Sequence, residues 1–256
     1  MSEKTRVIPV LSLSRRRMVK TERFQSPRYI GDPLNIVRIF AEKEVDELVL
    51  CEISASKEGR VPDFDLLERA ASEASMPLCY GGGIRTVAEA RRIIYLGYEK
   101  VAVNTAAFDE PDFVARLVDT FGSQAVVASV DVERSSRGTY EVFSHAHRKV
   151  PELQPLRWVE RLVKQGAGEI LLNAVHRDGT LSGYDMDLLR LFAGRFDVPV
   201  IPCGGARSAE DMVTAVREGK LSALGVGARF VYEGRLRAVL PNYLSREERR
   251  AVGGAA

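Results

Sequence analysis

Only three of the 256 residues are cysteine, and no two stand at the C-x-x-C spacing of a zinc or redox pair. Cys51, Cys79 and Cys203 each fall in an apolar run, where free cysteine packs as a small hydrophobe. Neither disulfides nor a metal site are expected, and no motif calls for a cofactor. An excess of one charge is missing too. The 37 Lys and Arg stand against 35 Asp and Glu, which removes the global electrostatic case for nucleic acid. Nowhere do 18 consecutive apolar residues occur, so no membrane helix is expected. The opening MSEKTRVIPV lacks the apolar stretch of a secretory leader. A soluble, cytoplasmic protein is expected. No Pro- or Ser-rich linker divides the chain, so one domain is expected over residues 1–244. The polar tail SREERRAVGGAA (245–256) is expected to fray.

What is present is an alternation. RVIPVLS, ELVLCEI, PLCYG, KVAVN, QAVVASVD, EILLNAV, PVIPCG and SALGVGA read as strands buried on both faces. Helix-period segments such as PLNIVRIFAEKE and AEDMVTAVREG lie between them. Strand–helix alternation implies parallel pairing, and eight such units in this length match a (β/α)8 TIM barrel. A doubly wound open sheet is the alternative; eight near-equal units favour closure. The sequence also repeats itself. At an offset of 122, Glu47 meets Glu169, Pro77 meets Pro199, Gly82 meets Gly204, Gly83 meets Gly205 and Phe108 meets Phe230. At an offset of 119, VIPVLSLSR (7–15) lies on VVASVDVER (126–134), with Arg15 on Arg134 but Ser12 on Asp131. Half-barrel duplication, four units fused to four, accounts for both registers.

Two glycine turns stand out. YGGGIRT (80–86) and CGGARS (203–208) each follow a strand and open a helix. Gly82, Gly83, Gly204 and Gly205 allow a backbone to approach an oxyanion, and a helix N-terminus supplies N–H donors. The strands that follow end in Asn104–Thr105 and in Gly227, further contributors to each side. A tight strand-to-helix turn needs glycine for its own sake as well. The pairing across the repeat favours phosphate, one cradle on each side of one mouth, and hence an elongated ligand with a phosphate at each end.

Through DELVLCEISASKEGR, GGGIRTVAEARRI, VAVNTAA, GAGEILLNAVHRDGTLSGYD and VPVIPCGGA, the chain resembles the cyclase subunit of imidazole glycerol phosphate synthase, from about residue 6 to about residue 234. The resemblance implies a glutaminase subunit docked at the N-terminal face of the barrel. It implies ammonia crossing the barrel to a bisphosphorylated ribulosyl-formimino substrate at the C-terminal face. It implies that Gly83, Asn104 and Thr105 hold one phosphate, and that Asp178, Gly179, Gly205 and Gly227, with Lys20, line the side of the other. Arg6, Glu47, Lys100 and Glu169 match the charged ring that gates ammonia entry. The family's acid/base pair is one aspartate at the end of strand 1 and one at the end of strand 5. Asp131 keeps the second, whereas Ser12 stands at the first, and a hydroxyl that does not ionise near neutral pH cannot carry the proton. Glu52 and His176 stand where the family has Asp.

Plainer readings stand beside these. Asp131 also reads as a hydrogen-bonded structural carboxylate, and Ser12 as a neutral change at a strand end. His176 reads as a loop histidine bonded to backbone, and Trp158 as helix packing. The charges at the strand starts read as a solvated rim. The segment SRRRMVKTERFQSPR (14–28) reads either as a phosphate-side cover carrying Lys20 or as a solvated mobile loop.

An intact inlet beside a broken acid/base pair points to a paralogue. VKTERFQSPRYIGDP (19–33), PLCYGGGI and FVYEGRLRAVLPNY (230–243) resemble the cyclase-like proteins of bacterial surface-polysaccharide clusters, the glycosyl amidation-associated proteins. That resemblance implies a barrel that passes glutaminase-derived ammonia to a sugar amidotransferase, with a bisphosphorylated or nucleotide-sugar ligand as a further partner. Two alternatives remain at this point: the histidine-pathway cyclase itself, and a phosphate-ligand-binding barrel without an ammonia role.

Overall fold

The computed structural model describes residues 5–144, 148–149 and 153–255. Its centre is a ring of parallel strands: β1 (Arg6–Ser14), β2 (Leu48–Glu52), β3 (Leu78–Gly81), β4 (Lys100–Val103), β5 (Val126–Arg134), β6 (Glu169–Ala174), β7 (Val200–Cys203) and β8 (Ala223–Val226). Each pairs with the next from β1 to β7, and β8 pairs back onto β1 with Arg6 opposite Ala223. β7 and β8 run side by side, so close that a methyl on Gly225 would stand 3.0 Å from the Cβ of Cys203. The ring is a TIM barrel.

Eight longer helices among the described residues cover it, α1 (Pro33–Glu42), α2 (Phe64–Glu73), α3 (Val87–Tyr95), α4 (Phe113–Phe121), α5 (Pro155–Lys164), α6 (Met186–Phe192), α7 (Ala209–Gly219) and α8 (Arg246–Gly253), with a five-residue helical turn at Thr105–Asp109. Their starts are written in the sequence. Asp32 caps α1 just before a proline, Thr86 and Glu89 close a reciprocal box on α3, and Ser208 caps α7. None of the helices among the described residues is long and apolar enough to cross a membrane.

The tail expected to fray does not. Residues 246–253 form α8, capped by a reciprocal Ser245–Glu248 box, with Val252 fully buried and Arg249 bonded to Asp46 at 3.1 Å. The domain therefore runs past residue 244, and α8 completes the eighth βα unit. Its polar surface hid it, because a helix of eight residues anchored by one valine leaves little periodicity to read.

Period two along the strands sorts the barrel interior into layers. Arg6, Glu47, Lys100 and Glu169 stand at the N-terminal floor. Two residues on, Ile8, Val49, Ala102 and Leu171 join Cys79, Val127, Ile201, Cys203 and Ala223 in one apolar plug drawn from all eight strands. Four residues on from the floor, Cys51, Asn104 and Asn173 reach the C-terminal mouth, where Ser12 and Asp131 also lie. Cys79 and Cys203 are buried as expected, while Cys51 is half-buried at the mouth; all three are free thiols.

The duplication is visible in the backbone. β1 and β5 are each nine residues long, and each continues into an antiparallel partner, Arg17–Glu22 on β1 and Tyr140–Ser144 on β5. Gly82 and Gly83 take φ of +116° and +73°, and their repeat mates Gly204 and Gly205 take +103° and +94°. The segment 14–28 is not a loose loop. Arg17–Glu22 pairs with Gln25–Gly31 to make a hairpin that leans over the mouth. Trp158 packs as expected, buried and stacked on Phe108 with ring centres 4.6 Å apart.

Candidate functional site

At the floor, four charges form a closed cycle. Arg6 donates to Glu47 Oε2 at 2.6 Å and to Glu169 Oε1 at 2.7 Å. Lys100 Nζ donates to both oxygens of Glu47, at 3.0 and 2.9 Å, and to Glu169 Oε2 at 2.9 Å. Glu47 and Glu169 are buried. Burial alone would lower the pKa of Arg6 and Lys100; the two glutamates outweigh it, and both cations end above their ordinary values. These groups are therefore not a solvated rim. Directly above them lies a void lined by Ile8, Glu47, Val49, Cys79, Val127, Glu169, Leu171 and Ile201. Its volume, about 10 Å³ for the centre of a water-sized sphere, suits one small molecule.

At the mouth, Asp131 is buried and accepts two amide hydrogen bonds, from Asn104 Nδ2 at 2.9 Å and Asn173 Nδ2 at 2.8 Å. Burial pushes its carboxyl up to about 7 against the pull of those donors, and Asp178 nearby pushes the same way. A group balanced near neutral pH can both give and take a proton. Ser12, on the opposite side of the same cleft, cannot. The other carboxylates of the mouth are tied down. Asp178 accepts from Lys20 Nζ at 2.5 Å and from Thr21 Oγ1 at 2.7 Å. Glu52 accepts from the Arg15 amide at 3.0 Å, the Ser54 hydroxyl at 2.6 Å and Arg60 at 3.3 Å, holding its loop in place. Burial pushes the Cys51 thiol up to about 12, so it stays protonated.

The two cradles differ. Gly82, Gly83, Asn104 and Thr105 all line the cleft. On the other side Lys20, Asp178 and Gly227 line it, whereas Gly179, Gly204 and Gly205 do not. Gly179 sits under the hairpin, where a Cβ would stand 2.2 Å from the Thr21 carbonyl oxygen. Gly227 has an ordinary φ; a Cβ there would meet the Lys20 side chain at 3.3 Å. The hairpin thus brings its own ammonium group to this side and pairs it with Asp178.

His176 differs from the backbone-bonded histidine expected. Its Nε2 lies 2.7 Å from Asp185, which also caps α6 and accepts from the Tyr140 hydroxyl at 2.9 Å. His176 does not line the cleft. Sequence reasoning missed Asn173 and Thr21. Counting by twos from Glu169 reaches Asn173; nothing in composition marks Thr21.

The raised carboxyl of Asp131 makes a prediction. Its pKa in the folded chain exceeds the ordinary value near 4, so the folded state holds the proton more tightly across that window. Stability from this group is greatest below about pH 4 and falls as pH rises to about 7, by on the order of 4 kcal/mol. Asp131→Asn removes the ionisation, although one neighbouring amide must turn to accommodate it. A gain of about 2 kcal/mol is expected at pH 8, roughly 5 °C in Tm, and none at pH 4. An equal loss at both pH values would mark the carboxylate as ordinary and structural.

Comparison with known proteins falls on the same frame. The family described as "Histidine biosynthesis protein" matches residues 6–237. A Pseudomonas aeruginosa protein provisionally named imidazole glycerol phosphate synthase subunit hisF2 is 45% identical over 238 residues, 93% of this chain and 95% of its own. A Leptospira interrogans protein, provisionally named imidazole glycerol phosphate synthase subunit HisF, is 42% identical over 250 residues, 97% and 98% of the two chains. The Caulobacter vibrioides imidazole glycerol phosphate synthase subunit HisF is 41% identical over 222 residues, 86% and 85% of the two chains.

Proposed function

The chain belongs to the histidine biosynthesis protein family, among the HisF-like imidazole glycerol phosphate synthase subunits, and from that premise we propose that it is the ammonia-conducting subunit of a glutamine-dependent amidation complex. A glutaminase docks at the N-terminal face and releases ammonia beneath the floor ring. Uncharged ammonia crosses the apolar plug, which excludes ammonium through the cost of burying its charge. It leaves at the mouth for a sugar amidotransferase of surface-polysaccharide synthesis.

One observation carries this reading: a closed Arg6–Glu47–Lys100–Glu169 cycle coexists with Ser12 opposite Asp131. The inlet is complete while the pair needed for ring closure is halved. The small void above the floor supports it, being sized for one molecule of ammonia. The first cradle, with Gly83, Asn104 and Thr105 open to the cleft, supports a phosphate-bearing ligand such as a nucleotide-sugar at that side.

A second reading has its own support. The kinship with the Caulobacter vibrioides subunit and the proton-ready Asp131 favour the histidine-pathway cyclase. Amide-¹⁵N glutamine separates the two when given to the chain with its cognate glutaminase. The conduit reading expects label in an amidated sugar when a sugar amidotransferase is added, and none in an imidazole product when the bisphosphorylated substrate is supplied. The reverse distribution overturns it.

A further inference from the structure

Resting on the conduit reading, we propose that two joined hairpins beside the mouth dock the ammonia-accepting enzyme, through a partner face that is apolar and bordered by carboxylates. The first is the Arg17–Glu22/Gln25–Gly31 hairpin. The second follows β8 and pairs Tyr232–Glu233 with Ala238–Val239. Arg237 of the second holds Glu22 of the first at 2.8 Å, and the Arg28 guanidinium lies 5.5 Å from the Tyr232 ring centre. They form one continuous rim, and Thr21 and Phe24 of the first hairpin also line the mouth.

Two features together mark this rim. Seven large apolar side chains are exposed among the described residues, and four lie here: Tyr29 at 57%, Leu236 at 93%, Val239 at 37% and Leu240 at 55%. Exposed large apolar side chains gathered on neighbouring hairpins mark a contact surface more often than single scattered ones do. Arg17, Arg23, Arg28 and Arg235 share the rim, and none holds a carboxylate among the described residues. Arg17 lies 5.9 Å from the centre of the Tyr29 ring. Arginine and tyrosine held in place beside apolar anchors are the side chains that dominate binding energy in interfaces.

The tip of the first hairpin adds a third observation. Arg23 and Phe24 both take left-handed φ, 52° and 60°, where a two-residue turn normally uses Asn-Gly. The turn keeps two large side chains at a cost of about 1 kcal/mol per residue. Unpaired cations call for anions on the partner, since complementary charge guides encounter and fixes orientation. An acceptor seated here would cover the outlet.

The test uses the full chain with its cognate glutaminase and the purified sugar amidotransferase of the same genome. Leu236→Glu/Leu240→Glu and, separately, Arg235→Glu alter exposed positions outside the barrel interior. Wild type is expected to bind the amidotransferase and pass it glutamine nitrogen. Both variants are expected to bind about tenfold more weakly or worse and to lose most glutamine-derived product. Glutaminase stimulation, and product made from saturating ammonium chloride, should be unchanged. A variant that binds and transfers like wild type overturns the docking surface and leaves the conduit standing. Absence of transfer in wild type overturns the conduit reading and this surface with it. Binding of wild type, but not of the variants, to phosphatidylcholine–phosphatidylserine vesicles in place of the enzyme overturns the proposal in favour of a membrane contact.

Discussion

Given free ammonia and the bisphosphorylated ribulosyl-formimino substrate, the wild-type chain is expected to cyclise at least about 100-fold more slowly than the Caulobacter vibrioides relative. Ser12→Asp is expected to recover on the order of 10²–10⁴ in rate. Cyclisation at a strand-1/strand-5 pair needs one group to take a proton while another gives one. Asp131, its carboxyl pushed up to about 7 by burial, is suited to either task but not to both at once. Among the described residues, the other carboxylates that line the mouth are already held. Asp178 is held by Lys20 and Thr21, and Glu52 by Arg15, Ser54 and Arg60. A new carboxylate at position 12 would face Asp131 across the cleft, and each charge would raise the other's pKa, leaving one protonated and one ionised near pH 7. Ser12→Asn, of the same size and without a proton to carry, should stay at the wild-type level. Wild-type turnover matching the relative's would mean that Ser12 is no lesion and that the chain is a cyclase.

Much of this site was legible because a barrel strand repeats its environment every second residue. The repeat sets Glu47 on Glu169 at an offset of 122, but the resemblance to the cyclase subunit was what singled out Arg6 and Lys100 beside them; charges at strand starts alone read as a solvated rim, and the structure joins the four in one cycle. The eight strands were equally open to reading, since burial on both faces leaves unbroken apolar runs. Three things were not. The hairpin over the mouth is polar and rests on turns of Arg15–Arg16 and Arg23–Phe24, which lack the glycine or asparagine that marks such turns. Its pairing depends on β1, not on its own composition. α8 was missed because its capping box sits in a run that otherwise looks like solvent-exposed tail. The inequality of the two cradles was hidden for a different reason. Gly204 and Gly205 repeat Gly82 and Gly83 faithfully, yet only the second cradle has a hairpin folded against its neighbours. Local sequence records a turn; what fills the space above it comes from a segment more than 150 residues away.

The floor cycle carries the other large expectation. Lys100→Met should destabilise the chain by about 3–5 kcal/mol, roughly 10 °C in Tm. Lys100 serves both glutamates, and without it Arg6 faces two buried carboxylates alone. An uncompensated buried charge costs far more than the pair ever contributed. Lys100→Met/Glu169→Leu is expected to behave differently. It removes one charge of each sign, leaves Arg6 paired with Glu47, and should return most of the lost stability. The same double change opens half the cycle, so ammonia released below should escape or enter out of step with glutamine hydrolysis. Product formed per glutamine hydrolysed should fall although the barrel remains folded. pH offers no substitute for this mutation on the alkaline side. The raised pKa of Lys100 keeps its contribution whole below the ordinary lysine value, and it is lost only as pH climbs through the still higher folded one. Loss of a proton from the lysine therefore does not break the cycle at neutral pH, and the proposed passage of ammonia calls for rearrangement of the pairs instead. An unchanged Tm in Lys100→Met would show that these four side chains do not act as one buried network.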